Sequence, residues 1–458
     1  MKKVNLLLAA VVAASVAAPS FAAPTIDTYG YFRVNASSAK GGKMTKWEVN
    51  NVGRLGNEND NYGEFGFRVP FATVNDTTWT FQGTLSLLSE SEQGLTPEEL
   101  YNKEAFVSVK GLFDFDKEAE LWAGRRFLRQ YNGITDWYYS DNSGNGAGIN
   151  NLQVGPGKAS VYWSRTTKKN DYIYNEDVYV KNYTNKTIET KAKGSKFEGH
   201  KYVDYFNVDY TFGLWDGAEL LVKDTYGVVS RQSGAVKSKD DLGNNNRFNL
   251  ELHVGGSNFW NNTSFEWFHG SNAGVETSGG WADAYAGAKS ANVYRIHNMG
   301  HYIFNSYFGV EHLLSYAYGT GYDKEYKSGS VYDAGRAYVE YSVEKEKLFK
   351  AVVRPTVKLT KMTKLVAELG AYKQIVDTFD GDKITENGQK YTLAYCITPD
   401  TGNLLWGPAI KFFVTYIHAD KHSDDYGRQV VGGITSYDNA YQDVNHNTMF
   451  GVQAEGSW

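Results

Sequence analysis

The chain has 458 residues, a formal net charge of −5, 47 glycines, 34 tyrosines and one cysteine. Hydrophobic residues make up 41%, aromatic residues 15% and charged residues 22%. The aromatic load excludes a disordered chain, the Gly- and Tyr-rich make-up disfavours a helical one, the charge argues against a broad nucleic-acid footprint, and the lone Cys396 leaves no internal disulfide or cysteine-rich metal site.

The N-terminus predicts export. Lys2 and Lys3 precede an apolar run from Leu6 to Ala18, and Ser20-Phe21-Ala22 is a small-x-small cleavage site. Residues 1–22 are therefore expected to be a signal peptide removed after Ala22, with Ala23 as the alternative. The rest, 23–458, is expected to be a single domain. No other apolar stretch is long enough for a spanning helix. Spanning strands remain open, because about 10 alternating residues suffice for each.

Beyond residue 25 the chain alternates. Phe65, Phe67 and Val69 oppose Tyr62, Glu64 and Arg68. After the short connection Asn75-Asp76-Thr77, the residues Trp79, Phe81, Leu85 and Leu87 oppose threonines, Gln82 and Ser86. Long polar connections are expected near 165–200, 269–292 and 418–447, and short ones at Trp215-Asp216-Gly217 and Lys361-Met362-Thr363. Between them, Phe248, Leu250, Leu252 and Val254 oppose Asn249, Glu251 and His253. Later, Tyr391, Leu393, Tyr395 and Ile397 oppose Thr392, Ala394 and Cys396. Period two means half-buried strands. A soluble sandwich or propeller would show the same alternation. The aromatic end, Trp458 on a last alternating strand, favours an outer-membrane barrel, as do the two classes of connection and a Tyr-rich composition of low hydropathy.

Enzyme motifs are weak. His297 and His301 have i, i+4 spacing, but in a strand region, where that spacing does not build a metal site. Asp380-Gly381-Asp382 reads as a hairpin turn rather than a calcium loop. Asp424-Asp425 could serve a glycoside hydrolase, but nothing singles out a carboxylate pair. No enzyme, cofactor or metal is indicated.

Five segments, in order, resemble the maltoporin family of bacterial sugar porins. They are Ile26 to Arg33; Arg54-Leu55-Gly56-Asn57-Glu58 with Tyr62-Gly63-Glu64; Trp122 to Phe127 leading to Asp136-Trp137-Tyr138-Tyr139 and Ser143 to Gly148; Val353-Arg354-Pro355; and Gly407 to Lys411. The resemblance implies an all-β, transmembrane, antiparallel barrel of 18 strands with an inward-folded constriction loop. It also implies a homotrimer in the lipid of the outer membrane and carbohydrate solutes that diffuse passively. It places Tyr31, Tyr62 and Tyr138 on an aromatic path. Arg33, Arg54, Glu64, Arg129 and Asp136 fall on an ionic track, with Lys103 where an Arg is usual. Leu95, Leu359 and Ser457 stand where the family has aromatics, and the mid-chain aromatic position falls on Thr263, with Phe265 and Trp267 as substitutes on the same strand parity. These departures point away from strict maltodextrin selectivity, towards another sugar or a general diffusion pore. A secreted carbohydrate-binding or hydrolysing β-protein is the remaining alternative.

Overall fold

A computed structural model describes residues 25–40, 42–43, 52–58, 61–89, 99–182, 187–231, 243–277, 288–324, 327–328, 341–419, 421–423, 429–431 and 446–458. The expected signal segment, Leu95 and Asp424-Asp425 lie outside them. Eighteen strands among these residues form one antiparallel sheet: β1 (Asp27–Ala39), β2 (Asn61–Val74), β3 (Thr77–Ser89), β4 (Glu99–Lys110), β5 (Glu120–Arg126), β6 (Gly144–Val154), β7 (Gly157–Asn182), β8 (Thr187–Trp215), β9 (Ala218–Arg231), β10 (Asn245–Gly255), β11 (Phe259–Gly270), β12 (Asn292–Ile303), β13 (Phe308–Thr320), β14 (Tyr341–Lys358), β15 (Thr363–Thr378), β16 (Lys383–Ile397), β17 (Ala409–Ala419) and β18 (His446–Ser457). Each pairs with its sequence neighbours, and β18 also pairs with β1 from Tyr31↔Ser457 to Ala39↔Met449. The sheet is therefore a closed barrel, as the resemblance implied.

The side chains are sorted in the reverse of a soluble core. On β16, Tyr391, Leu393, Tyr395 and Ile397 are exposed on the outer face, while Lys390, Thr392 and Cys396 are buried inside. On β17 the exposed row is Ile410, Phe412, Val414 and Tyr416. Among the described residues the interior holds Arg33, Glu251, Glu266, Arg295, Lys350, Glu368 and Lys390, all buried. An apolar outer band around a polar interior suits a barrel whose outside meets lipid and whose inside meets water. A sandwich would bury the apolar rows instead.

The two ends differ. One carries short connections at 75–76, 155–156, 216–217, 256–258, 304–307 and 359–362, with longer ones at 111–119 and 398–408. Asn75 and Asp76 both have positive φ, 50° and 62°, the backbone that a two-residue hairpin requires and that Asn and Asp tolerate. Trp215, Phe304, Tyr307 and Trp458 are exposed near this end, where an interfacial aromatic girdle belongs. The other end carries most of the long connections, with 183–186 and 379–382 short exceptions.

One expected loop is corrected. The stretch 165–200 continues the ladder: β7 and β8 stay paired from Thr167↔Tyr202 to Asn182↔Thr187, with register shifts between Tyr174 and Asp177 and between Val178 and Tyr179. Its polar residues hid a strand pattern still rich in Tyr, Ile, Val and Thr, types that favour strands.

The last residue belongs to the closure. Trp458 exchanges two backbone hydrogen bonds with Gly30, each 3.1 Å. Deleting Trp458 should lower the yield of folded, heat-modifiable barrel on unboiled detergent gels. A yield equal to wild type would show that closure does not need it.

Candidate functional site

The register of β1 builds the first part of the site. Its neighbour β2 sets Tyr31 opposite Glu64 and Arg33 opposite Tyr62, while β18 sets Arg33 opposite Glu455. Alternation points these side chains inwards together. The Tyr31 and Tyr62 rings lie 6.1 Å apart, inclined at 50°. The Arg33 guanidinium lies 5.8 Å from the Tyr62 ring centre. The Tyr62 hydroxyl donates to Glu64, and the Tyr31 hydroxyl donates to Glu455 at 2.6 Å.

The second part comes from the β5–β6 connection, which folds into the lumen as a hairpin of Arg129–Asn132 against Trp137–Asp141. Asp136 sits in its tight turn at φ 54°. Tyr139 and Trp137 hold the hairpin to the far wall. Trp137 is flanked by the Lys350 ammonium at 3.6 Å and the Arg295 guanidinium at 4.7 Å. Arg295 also donates to the Tyr139 carbonyl at 2.9 Å and to Glu266 at 2.5 Å. The free face of the hairpin turns towards β1–β4. There Tyr131 and Tyr138 lie 4.8 Å apart, Tyr131 donates to Asp136 at 2.9 Å, and Arg129 lies 4.5 Å from the Tyr138 ring centre and 3.9 Å from Glu64.

The third part is segment 52–58, which crosses the lumen from the β1–β2 connection. Arg54 joins both groups: it donates to the Tyr31 hydroxyl at 2.6 Å, to Glu455 at 2.7 Å and to Glu58 at 2.9 Å. Arg33 reaches the same Glu58 at 2.5 Å. The segment is anchored to the wall on its other side. Lys390 donates to the Leu55 carbonyl at 2.7 Å and to Glu368 at 2.5 Å. Glu368 in turn accepts from the Leu55 amide at 3.1 Å and from Arg354 at 2.5 Å. Arg354 also donates to the Ile134 carbonyl of the hairpin at 3.0 Å. Gly56 has φ 61°, and a Cβ there would meet the Phe413 ring at 2.7 Å, so a larger residue could not lie this close to the wall.

These parts enclose a space of about 600 Å³. Tyr31, Tyr62 and Tyr138 line it, and so do Arg33, Arg54, Glu64, Lys103, Arg129 and Asp136. All nine residues singled out from the sequence thus meet in one cavity. Phe127 and Tyr131 line it as well and went unnoticed in the sequence; alternation with Arg129 along the hairpin was the signal for both. The tyrosine hydroxyls of the hairpin stay protonated at ordinary pH. Burial pushes Tyr131 and Tyr138 above the usual phenol range, against the opposing pull of Arg54 and Arg129 respectively. Burial works against the charge of Arg54, but Glu58 and Glu455 outweigh it and raise its pKa well above the usual value.

The mid-chain aromatics are a correction. Phe265 is 41% exposed on the outer face, and Trp267 and Thr263 share its parity. Thr263 instead joins an outward cluster with Asn298 and Asn261. The inward row of β11 is Asn262, Ser264, Glu266 and Phe268. The signal was present: Glu266 and Ser264 lie on the parity opposite Phe265. Leu359 lies exposed in the β14–β15 turn, and Ser457 is exposed at the chain end. His297 and His301 lie on strand β12, and Asp380-Gly381-Asp382 in a hairpin turn. Among the described residues no group of three or more His, Cys, Asp or Glu is placed to hold a metal.

Two variants probe this arrangement. Lys390→Met leaves Glu368 and the Leu55 carbonyl short of a partner, a change that typically costs about 3–5 kcal/mol for a broken buried pair. It should lower the unfolding temperature in detergent and add fluctuation to single-channel currents. Tyr138→Ala removes a ring from the cavity lining and should raise ion conductance in planar bilayers; unchanged conductance would place the constriction elsewhere.

The family described as LamB porin matches residues 26–458. Maltoporin 1 of Klebsiella pneumoniae subsp. pneumoniae is 26% identical over 465 residues, covering 99% of this chain and 97% of that protein. The maltoporin of Vibrio cholerae serotype O1 is 27% identical over 482 residues, covering 100% of both. Among solved structures, OccD3 (OpdP) of Pseudomonas aeruginosa is similar at a TM-score of 0.46 and 12% identity, covering 94% of this chain and 91% of that one.

Proposed function

The chain belongs to the LamB porin family, and from that premise we propose that the cavity between β1, β2 and the inner hairpin is where carbohydrate solutes are held in passage. The protein is an outer-membrane porin for facilitated diffusion of carbohydrates. In this reading it works as a homotrimer and as a channel rather than an enzyme. Tyr31, Tyr62 and Tyr138 present ring faces to the apolar face of a sugar, and an aromatic platform of this kind is worth about 0.5–1.5 kcal/mol. Arg33, Arg54, Lys103 and Arg129 donate to hydroxyls, and Glu64 and Asp136 accept from them.

The observation that carries this reading is the gathering of the nine residues, from five separate stretches of chain, around one water-accessible space. Tyrosines beside fixed charges match a solute with an apolar face and a hydroxyl rim. Each contact is weak alone, and a channel needs that, because the solute must leave as readily as it enters. The ion pairs around Arg54 keep these donors in place when no solute is present.

Selectivity for long linear oligosaccharides is expected to be poor. Leu359 and Ser457 leave two stations without a ring, and each loss removes about 0.5–1.5 kcal/mol of stacking. Maltohexaose should therefore block single-channel current weakly or not at all, while small neutral sugars still swell proteoliposomes. Trp at positions 359 and 457 together should strengthen the block. Failure of any sugar to permeate would overturn the reading.

A further inference from the structure

A second cavity lies beyond Arg54, towards the end of the barrel with the short connections. It measures about 240 Å³. Its floor is the connection 398–408, which turns back into the barrel so that Leu404 and Leu405 are buried, while Trp406 stays 45% exposed on the cavity wall. The Trp406 indole meets the edge of His301 at 4.6 Å and 86°, and His301 stacks on Trp260 at 6.5 Å and 22°. This row of rings comes from three elements, and its Trp406 lines the same cavity as Ser457.

The charges around this cavity do not balance. Arg54, Arg354, Lys364 and Lys411 line it, against Glu58, Glu311 and Glu455. Lys411 pairs with Glu455, Arg54 with Glu58 and Glu455, and Arg354 with Glu311 at 3.6 Å. Behind it, Glu368 is shared between Arg354 and Lys390, each at 2.5 Å. Of the four cations that line the cavity, Lys364 alone makes no ion pair among the described residues. It is 97% buried, being 3% exposed, and its ammonium donates only to two backbone carbonyls, Leu404 at 2.9 Å and Trp406 at 3.5 Å. Among the described residues no carboxylate lies within ion-pairing distance of it. Glu311 on the same cavity wall acts on it only from beyond ion-pairing distance; an ammonium has three protons to donate, and a buried cation without a direct ion pair is costly. A solute that brings one negative charge would supply what is missing.

We infer that this cavity is a second binding station, selective for a sugar ring carrying a carboxylate, with Trp406 under the ring face and Lys364 on the carboxylate. This inference rests on the porin reading above and names a solute class for it: uronic acids and oligosaccharides that contain them. One unpaired ammonium matches a monoanion better than a doubly charged phosphate. The indole distinguishes a sugar acid from a small inorganic anion, because only the former has an apolar face to offer.

The test uses the full-length porin in planar bilayers and in proteoliposomes. Sodium glucuronate and glucose are compared as blockers of single-channel current at matched ionic strength, with sodium acetate as the small-anion control. Wild type should be blocked by glucuronate at a concentration at least fivefold lower than by glucose, with acetate ineffective. Lys364→Met should bring glucuronate to within about twofold of glucose, and Lys364→Arg should keep most of the preference. Trp406→Ala should weaken glucuronate block while leaving a residual preference over glucose. Heat-modifiable gel mobility establishes that each variant is folded, and the wild-type comparison stands even where a variant is not. Equal block of wild type by glucuronate and glucose, or an unchanged ratio in folded Lys364→Met, overturns the inference. Acetate acting as strongly as glucuronate shows an anion site without a sugar platform and overturns it too. Neutral-sugar swelling is read on the same wild-type preparation. Its loss would sink the porin reading itself, whereas swelling without a glucuronate preference sinks only the second station.

Discussion

Everything in this molecule follows from closing the hydrogen-bonded ladder on itself. A strand in hydrocarbon has no water to satisfy its amides and carbonyls, so an open sheet edge cannot persist there. Pairing β1 with both β2 and β18 removes the edge. Once the sheet is closed, each strand has one face towards lipid and one towards the lumen. The alternation of Tyr391, Leu393 and Tyr395 with Lys390, Thr392 and Cys396 then puts the apolar row outside and the polar row inside.

A polar interior raises its own difficulty, because charges partly removed from water must be compensated. The barrel meets it by filling much of its lumen with its own chain. Segment 52–58 and the hairpin 129–141 cross the interior, and their backbone carbonyls and side chains serve as partners for the wall. Lys390 and Arg354 illustrate the exchange: each pairs with Glu368 and also donates to a carbonyl of an inward segment, Leu55 or Ile134. The same bonds that neutralise the wall thus hold the inward segments still. A narrow, rigid passage is a by-product of that electrostatic bookkeeping.

The passage is uneven in its chemistry. On the side of β1 and β2 it offers tyrosine rings beside paired charges, which suits repeated weak contacts with hydroxylated solutes. Beyond Arg54 it offers an indole and an ammonium that makes no ion pair among the described residues. Arg54 stands between them, bonded to Tyr31 and to Glu455, so both regions share one guanidinium. The whole chain carries a net charge of −5, yet the residues lining the two cavities carry more cations than carboxylates. Overall charge is therefore a poor guide to what the lumen favours, because surface and lumen are sorted separately.

Period two was legible in the sequence because strand alternation is local, and the uneven connections favoured a membrane barrel over a sandwich; the number of strands came only with the family resemblance. The ordered motifs brought Tyr31, Arg33, Tyr62 and Glu64 to one place, since strand pairing turns parity into proximity. Phe265 and Trp267 were misplaced for want of one step already available, that Glu266 and Ser264 claim the inner face of β11. The long β7–β8 ladder was obscured by its polar residues, which mark loops only when nothing pairs with them. What the tertiary structure alone decided is the set of contacts that cross the lumen. Leu55 with Glu368 and Lys390, Arg54 with Glu455, and Trp406 with His301 are brought together by closure and by inward folding, and no local periodicity encodes a meeting across the width of a barrel.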